Sequence, residues 1–128
     1  MKSKKIRTLM AAAMITASLG ASALVATPAQ ASTRCVDNVY AYGGYAQCIG
    51  YIQTMLNSWA NDYGIKPIAV DNSFGAATKA RVKDFQYDMW NPKLTVDGVV
   101  GPMTWKALCG WTTYGTAAAK KARISAGC

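Results

Sequence analysis

The sequence predicts a small all-α domain, a three-helix bundle with disulfide-stapled flanks. Three observations favour this fold: a loop-to-helix motif that occurs twice, apolar residues at helical spacing, and four cysteines placed before and after the helical region. The two copies of the motif span residues 68–78 and 94–104, twenty-six positions apart. The extended stretches at their starts are too short to build a sheet.

Each copy of the motif joins two apolar residues to an Asp, a turn residue, a Gly and a Thr. Asp71 and Asp97 can accept hydrogen bonds from amides two residues further on, and Asn72 and Gly98 tolerate left-handed backbone. Pro102 suits a first helical position, where its missing N–H costs nothing. The motif therefore predicts two similar Asp-turn-Gly loops, which open helices near residues 76 and 102.

Apolar stripes predict the extents of the three helices. The expected helices cover residues 48–60, 76–89 and 102–108, the last being short. The stripes consist of Ile49, Ile52, Leu56 and Trp59 in the first helix and Thr78, Val82, Phe85 and Met89 in the second. The predicted core consists of Ile49, Ile52, Leu56, Val70, Phe74, Val82, Phe85, Val96, Val100, Trp105 and Leu108.

Residues 1–31 have the pattern of a secretory signal peptide. Basic residues precede an apolar stretch from Leu9 to Val25, and Ala29 and Ala31 frame a cleavage site before Ser32. The remaining 97 residues suffice for one domain. We divide them into an N-terminal flank (32–47), a central domain (48–109) and a C-terminal flank (110–128). The protein is expected to be secreted or cell-wall associated, with no membrane anchor after cleavage.

The charge of the predicted mature chain is mildly basic. Four of the fourteen basic residues lie in the signal segment, which leaves ten against six Asp. This balance favours attraction to anionic surfaces. The charge is spread along the chain and no zinc-finger spacing occurs, so the sequence argues against a nucleic-acid partner.

All four cysteines lie in the predicted mature chain, and an even number in an oxidising compartment predicts two disulfides. We expect Cys48 to pair with Cys109 and Cys35 with Cys128, because a small domain gains most when its ends are joined. Local pairing, with Cys35 bonded to Cys48, is the open alternative.

Many residues between Cys48 and Cys109 stand at the fixed offsets of a known family. They are Ile52-Gln53 and Leu56, Val70-Asp71, Phe74-Gly75 and Thr78, Val82 and Phe85-Gln86, then Leu94, Val96-Asp97-Gly98, Val100-Gly101-Pro102, Thr104-Trp105 and Leu108. This region resembles the three-helix peptidoglycan-binding domain found on bacterial cell-wall hydrolases. The resemblance implies non-catalytic attachment to peptidoglycan, through its glycan strand or its stem peptide.

The composition predicts that the protein is not an enzyme and holds no metal or other cofactor. The chain has no His and no Glu, which removes the usual zinc ligands, the usual general base and the acid of most glycosidases. Asp71 and Asp97 are the remaining acid pair. An Asp that heads a turn before a helix is more readily explained by backbone hydrogen bonds.

Five residues are candidates for ligand contact. Tyr63, Tyr87 and Trp90 fall at helix ends or in loops, where aromatic rings can stack on sugar faces. Asn72 lies in the first turn. Gln86 carries an amide that could hold a glycan hydroxyl or a peptide carbonyl, although a hydrogen bond between helices explains it equally well.

The leading prediction is a secreted, monomeric peptidoglycan-binding protein. One alternative is a small cell-wall hydrolase or autolysin fragment that uses Asp71 or Asp97. Another is a secreted adaptor or inhibitor, which would bind a wall-associated protein through the cysteine-containing flanks.

Overall fold

The computed structural model describes residues 33–128, and this part of the chain contains four α-helices and a 3₁₀ turn. The 3₁₀ turn covers Cys35–Asp37, and the helices are α1 (Gln47–Asp62), α2 (Ala76–Asp88), α3 (Pro102–Trp111) and α4 (Ala117–Ala126). Within these residues, extended pairing is limited to isolated bridges. The predicted all-α class is confirmed, whereas the predicted signal peptide lies outside the described residues.

The first three helices begin within one residue of their predicted starts. Gly75 and Gly101 are the N-cap residues of α2 and α3, as the repeated motif predicts, and Pro102 takes the first position of α3. Helix α3 continues to Trp111, three residues beyond its predicted end at 108. This extension places the Trp111 ring on the same helix as Trp105.

Helix α4 was not predicted, so the expected count of three helices is one short. Thr116 caps α4 by accepting a hydrogen bond from the Ala119 N–H at 3.2 Å, and Gly127 ends the helix with φ 95°. The alanines at its start have the highest helix propensity of any residue. Helix α4 makes its most extensive helix contact with α1, and the Ser58 hydroxyl accepts the Thr116 N–H at 3.0 Å.

Both disulfides close locally, so the predicted pairing of Cys48 with Cys109 and of Cys35 with Cys128 is wrong. The bonds join Cys35 to Cys48 and Cys109 to Cys128, across 13 and 19 residues. The reason is that α4 packs against α1 and brings the C-terminus back to the last turn of α3. The Arg123 guanidinium supports this return by donating from Nε to the Cys109 carbonyl at 2.9 Å.

Nine of the eleven predicted core residues are buried, and the two exceptions occupy equivalent places in the motif. Val70 is 54% exposed and Val96 is 45% exposed. The backbone amides that follow these valines turn inward to a buried side chain, so the valines point outward. The motif instead directs Phe74 and Val100, four positions further on, into the core.

The first loop of the motif is held by the side chain of Gln53, which α1 places beneath it. The Gln53 Nε2 donates to Asp71 Oδ1, to the Ser73 carbonyl and to Thr78 Oγ1, at 2.9, 2.9 and 3.0 Å. Its Oε1 accepts the N–H groups of Asp71 and Asn72 at 3.0 and 3.1 Å. Asp71 also accepts the Ser73 N–H, as predicted, at 3.0 Å.

Gln86 on α2 makes the same five hydrogen bonds to the second loop. Its Nε2 contacts Asp97 Oδ1, the Val99 carbonyl and Thr104 Oγ1, at 3.0, 2.9 and 3.1 Å. Its Oε1 accepts from the Asp97 and Gly98 amides at 3.1 and 2.9 Å. Asn72 and Gly98, with φ of 64° and 76°, confirm the predicted left-handed turn positions. We call Gln53 and Gln86 the brace glutamines.

The N-terminal flank runs across both loops and pairs with equivalent residues of the two copies. Tyr40 exchanges two backbone hydrogen bonds with Val100, at 3.1 and 2.8 Å. A few residues later, the Gly43 N–H and the Gly44 carbonyl bond to Phe74, both at 2.9 Å. The flank therefore holds the two loops at a fixed separation, and the first disulfide anchors it to α1.

Candidate ligand-binding site

Three aromatic rings follow one another in contact where α1 and α3 end, with Tyr63 between the two tryptophans. The centroids of Trp59 and Tyr63 lie 5.5 Å apart, and Tyr63 stacks on Trp111 at 6.0 Å with its plane tilted by 28°. Trp59 also meets the core residue Phe85 edge-on, at 5.7 Å. This aromatic cluster is therefore anchored to the core on one side and reaches the surface at Tyr63 and Trp111.

Two carboxylates orient the indole rings of this cluster. The Trp59 Nε1 donates to Asp88 Oδ2 at 3.1 Å, and the Trp111 Nε1 donates to Asp62 Oδ2 at 3.2 Å. Partial burial, a hydrogen bond with Asp88 and the negative charges of Asp88 and Asp62 together raise the pKa of the Tyr63 phenol. The Tyr63 hydroxyl consequently stays protonated and remains a hydrogen-bond donor at neutral pH.

An open cleft of about 570 Å³ lies beside the aromatic cluster. Its lining residues are Asp62, Met89, Asn91, Pro92, Lys106, Ala107, Gly110, Trp111 and Tyr114. We call it the aromatic cleft. It combines apolar and ring surfaces with one carboxylate, one ammonium group and one amide, which is the kind of lining that orients a polar ligand by stacking and a few hydrogen bonds.

A second cleft of about 420 Å³ lies on the other side of Met89, which lines both. Its exposed rings are Tyr87 and Trp90, at 81% and 88% exposure, and Lys93 supplies a positive charge. Trp90 and Lys93 form an isolated antiparallel bridge, which turns the chain back at this point. We call this second cavity the α2 cleft.

The structure brings four of the five predicted contact residues to this end of the molecule. Tyr63 belongs to the aromatic cluster, and the α2 cleft is lined by Gln86, Tyr87 and Trp90. Asn72 lines neither cleft, because it forms the left-handed corner of the first loop and its side chain lies over Gly50. Its role in ligand contact stays an untested prediction.

Gln86 lines the α2 cleft, but its side chain is buried. Both amide atoms are bonded to the second loop. The alternative explanation, a hydrogen-bonded structural residue, accounts for these bonds. A role of Gln86 in ligand contact stays an untested prediction.

None of the nine residues that line the aromatic cleft is among the five sequence candidates. The missed residues with polar or aromatic side chains are Asp62, Asn91, Lys106, Trp111 and Tyr114. Helix α3 was expected to end at 108, so Trp111 was not assigned to a helical face. The spacing of four between Ala107 and Trp111 was a usable signal, since residues four apart share a helix face. Nothing local in the sequence marks Asp62 as the partner of the Trp111 indole.

Two kinds of feature are absent from residues 33–128. No cluster of three or more potential ligands for a metal ion occurs among these residues. The same part of the chain contains no helix with the length and apolar character needed to cross a membrane.

Comparison with known proteins identifies the central segment. No curated protein and no solved structure gives a significant match to the chain. Residues 49–108 match the family model described as a peptidoglycan binding domain, and this span covers most of α1, both braced loops, α2 and most of α3.

Proposed function

We propose that the protein is a secreted, non-catalytic peptidoglycan-binding protein that uses the aromatic cleft. The observation that carries the proposal is the position of this cleft at the C-terminal edge of the family segment. Six of its nine lining residues belong to residues 49–108, and the rings of Trp111 and Tyr114 follow directly after that segment. Sugars present apolar faces and a rim of hydroxyls, and stem peptides present amides and carboxylates. The cleft offers a partner for each of these groups.

The polar groups of the cleft divide into donors and acceptors. Lys106 can donate to a carboxylate or a carbonyl, and Asn91 can do both. Asp62 already accepts one hydrogen bond from Trp111 at 3.2 Å, and its other oxygen is available to a hydroxyl or an ammonium group. The ring of Trp111, held by this bond and by Tyr63, supplies a fixed stacking surface.

The absence of catalysis is supported by the positions of the two loop aspartates. Each carboxylate accepts one hydrogen bond from the Nε2 of a brace glutamine and one from the backbone N–H two residues further on. The hydrogen bond from Gln53, and then that from Ser73, hold the pKa of Asp71 below its ordinary value. A carboxyl group stabilised as the anion is a poor proton donor at neutral pH, so Asp71 is unsuited to act as a general acid.

Secretion is supported by the two disulfides, because such bonds persist in oxidising compartments. Their loops of 13 and 19 residues tie the two flanks to the family segment. Disulfides of this kind add stability to a small domain whose hydrophobic core is modest.

Truncation of Tyr114 tests the aromatic cleft with little risk to the fold. Tyr114 is 90% exposed and lines the cleft. Stacking on one aromatic ring contributes about 1 kcal/mol to binding, so Tyr114→Ala should weaken binding to insoluble peptidoglycan about fivefold. The measurement is the fraction of oxidised protein that sediments with purified peptidoglycan, as a function of the amount of peptidoglycan.

The matched control is Tyr45→Ala, because Tyr45 is 78% exposed but lies on the N-terminal flank. It should bind like the unmodified protein. Equal loss in both variants would contradict a specific role for the cleft. Recovery of the unmodified protein in the supernatant at every peptidoglycan concentration would overturn the proposed function itself.

A further inference from the structure

One exposed face of α2 combines lysines and aromatic rings in a line. Lys79, Lys83, Tyr87 and Trp90 follow at spacings of four, four and three, which places the helical members on the same face. At about 1.5 Å per residue, the helical part of the line, from Lys79 to Tyr87, is roughly 12 Å long. We call this surface the α2 face.

The N-terminal half of the α2 face forms a shallow groove. Tyr42 of the N-terminal flank borders it, and the groove has a volume of about 380 Å³. The Lys79 Nζ lies 5.7 Å from the centroid of the Tyr42 ring, within the range of a cation–π contact. The other lining residues are Ala76, Ala80 and Lys83, so the groove has no acidic wall.

The lysine stems are held in place by the second loop. Gly98 has no side chain, and a Cβ atom added to it would lie 2.9 Å from Lys79 Cγ and 3.4 Å from Lys83 Cε. The methylene groups of both lysines therefore pass directly over this glycine. Such packing lowers the number of conformations that each lysine must give up on binding. The two ammonium groups are therefore presented along one line, one helical turn apart.

The two acidic residues of α2 already have partners. Asp84 pairs with Arg81 at 3.7 Å. Asp88 lines the α2 cleft, where it accepts a hydrogen bond from the Trp59 indole. Neither Lys79 nor Lys83 forms an ion pair within the described residues. At the far end of the face, Lys93 adds a third positive charge beside Tyr87 and Trp90 in the α2 cleft.

We propose that the α2 face binds a linear, negatively charged polymer of the cell wall. Lys79, Lys83 and Lys93 contact successive anionic groups, and the rings of Tyr42, Tyr87 and Trp90 cover the uncharged units between them. The location in the wall rests on the proposed function, but the binding surface does not overlap the lining of the aromatic cleft except at Met89. The anionic groups are the phosphodiesters of a wall-linked polymer.

The test uses a soluble polyglycerol phosphate as the probe and the double variant Lys79→Gln/Lys83→Gln. Its control is Lys120→Gln/Lys121→Gln, which removes the same charge from exposed positions on α4. The polymer is titrated into each protein at several salt concentrations. Compared with the unmodified protein, the α2 variant should bind the polymer at least tenfold more weakly and its affinity should depend less steeply on salt. The control variant should lose less than threefold in affinity. Circular dichroism checks that both variants are folded.

Equal losses in the two variants would show attraction by net charge alone and would overturn the proposal. Retention on whole walls, before and after chemical removal of phosphodiester polymers, tests the ligand in place, because the loss caused by the α2 substitutions should be seen only while these polymers are present. If the polyglycerol phosphate does not bind, or if the α2 variant is retained on both wall preparations like the unmodified protein, the proposal is also overturned. The Tyr114→Ala variant should bind the soluble polymer normally, so failure of this proposal is distinguishable from failure of the aromatic cleft.

Discussion

Replacement of Gln86 by leucine should destabilise the domain by about 4 kcal/mol, the largest effect expected of a single substitution in this chain. Leucine has a similar size and keeps most of the packing. It leaves the amides of Asp97 and Gly98 and the acceptors on Val99 and Thr104 without the partner that now satisfies them. An unsatisfied buried polar group costs about 1–3 kcal/mol, and part of the loop can recover hydrogen bonds from water.

The duplicated motif supplies an internal check on this prediction. Gln53→Leu should cost about as much as Gln86→Leu, because the two side chains make corresponding bonds of nearly equal length. Gln47 lies exposed on the first turn of α1, so Gln47→Leu should change the stability by less than about 0.5 kcal/mol. Urea denaturation followed by tryptophan fluorescence measures all three. Losses below 1 kcal/mol for both brace variants would contradict the structural role.

Removal of the second disulfide should cost about 3 kcal/mol. The bond between Cys109 and Cys128 closes a segment of 19 residues that contains α4, and the chain-entropy model assigns about 3 kcal/mol to a loop of this size. In a Cys109→Ser/Cys128→Ser variant, α4 would keep its contact with α1 but lose its covalent attachment to α3. Thermal denaturation of the double variant measures the loss, and the Cys35→Ser/Cys48→Ser variant should show a similar one.

The same bonds can be assigned directly. Proteolysis of the unreduced protein, followed by mass spectrometry, should yield one peptide pair joined through Cys35 and Cys48 and another joined through Cys109 and Cys128. A fragment that joins Cys48 to Cys109 would contradict the local closure of the flanks.

The loops were predictable because their signals are local. Asp71 and Asp97 bond to amides two residues away, and the left-handed corner at Asn72 or Gly98 is adjacent to them. The helix starts at Gly75 and Gly101 follow from the same short motif. Physical interactions that act over a few residues are encoded in the order of those residues.

The errors arose where distant segments meet. The disulfide pairing depends on how α4 returns beside α3, and α4 itself was overlooked although its alanines and its Thr116 cap are local signals. Val70 was placed in the core because it is apolar, whereas the direction of its side chain depends on the bond between Gln53 and the next amide. Sequence order does not contain that contact.

The candidate site was predictable only in part for the same reason. Tyr63 could be proposed because an aromatic residue at a helix end is often accessible. Its stacking with Trp111 joins residues 48 positions apart in the chain, and the cleft exists only because α1, α3 and the turn after α2 converge there. Gln86, which stands beside core positions on α2, could be assigned to the loop only once the loop was in view.

The most direct test of the binding account follows the four tryptophan indole N–H signals by NMR while soluble peptidoglycan fragments are added. Trp111 lines the aromatic cleft and Trp105 is buried, with its indole bonded to the Asn38 carbonyl at 3.0 Å. The account predicts that the Trp111 signal moves most and that the Trp105 signal stays in place. A Trp111 signal that does not move at millimolar fragment concentration would contradict it.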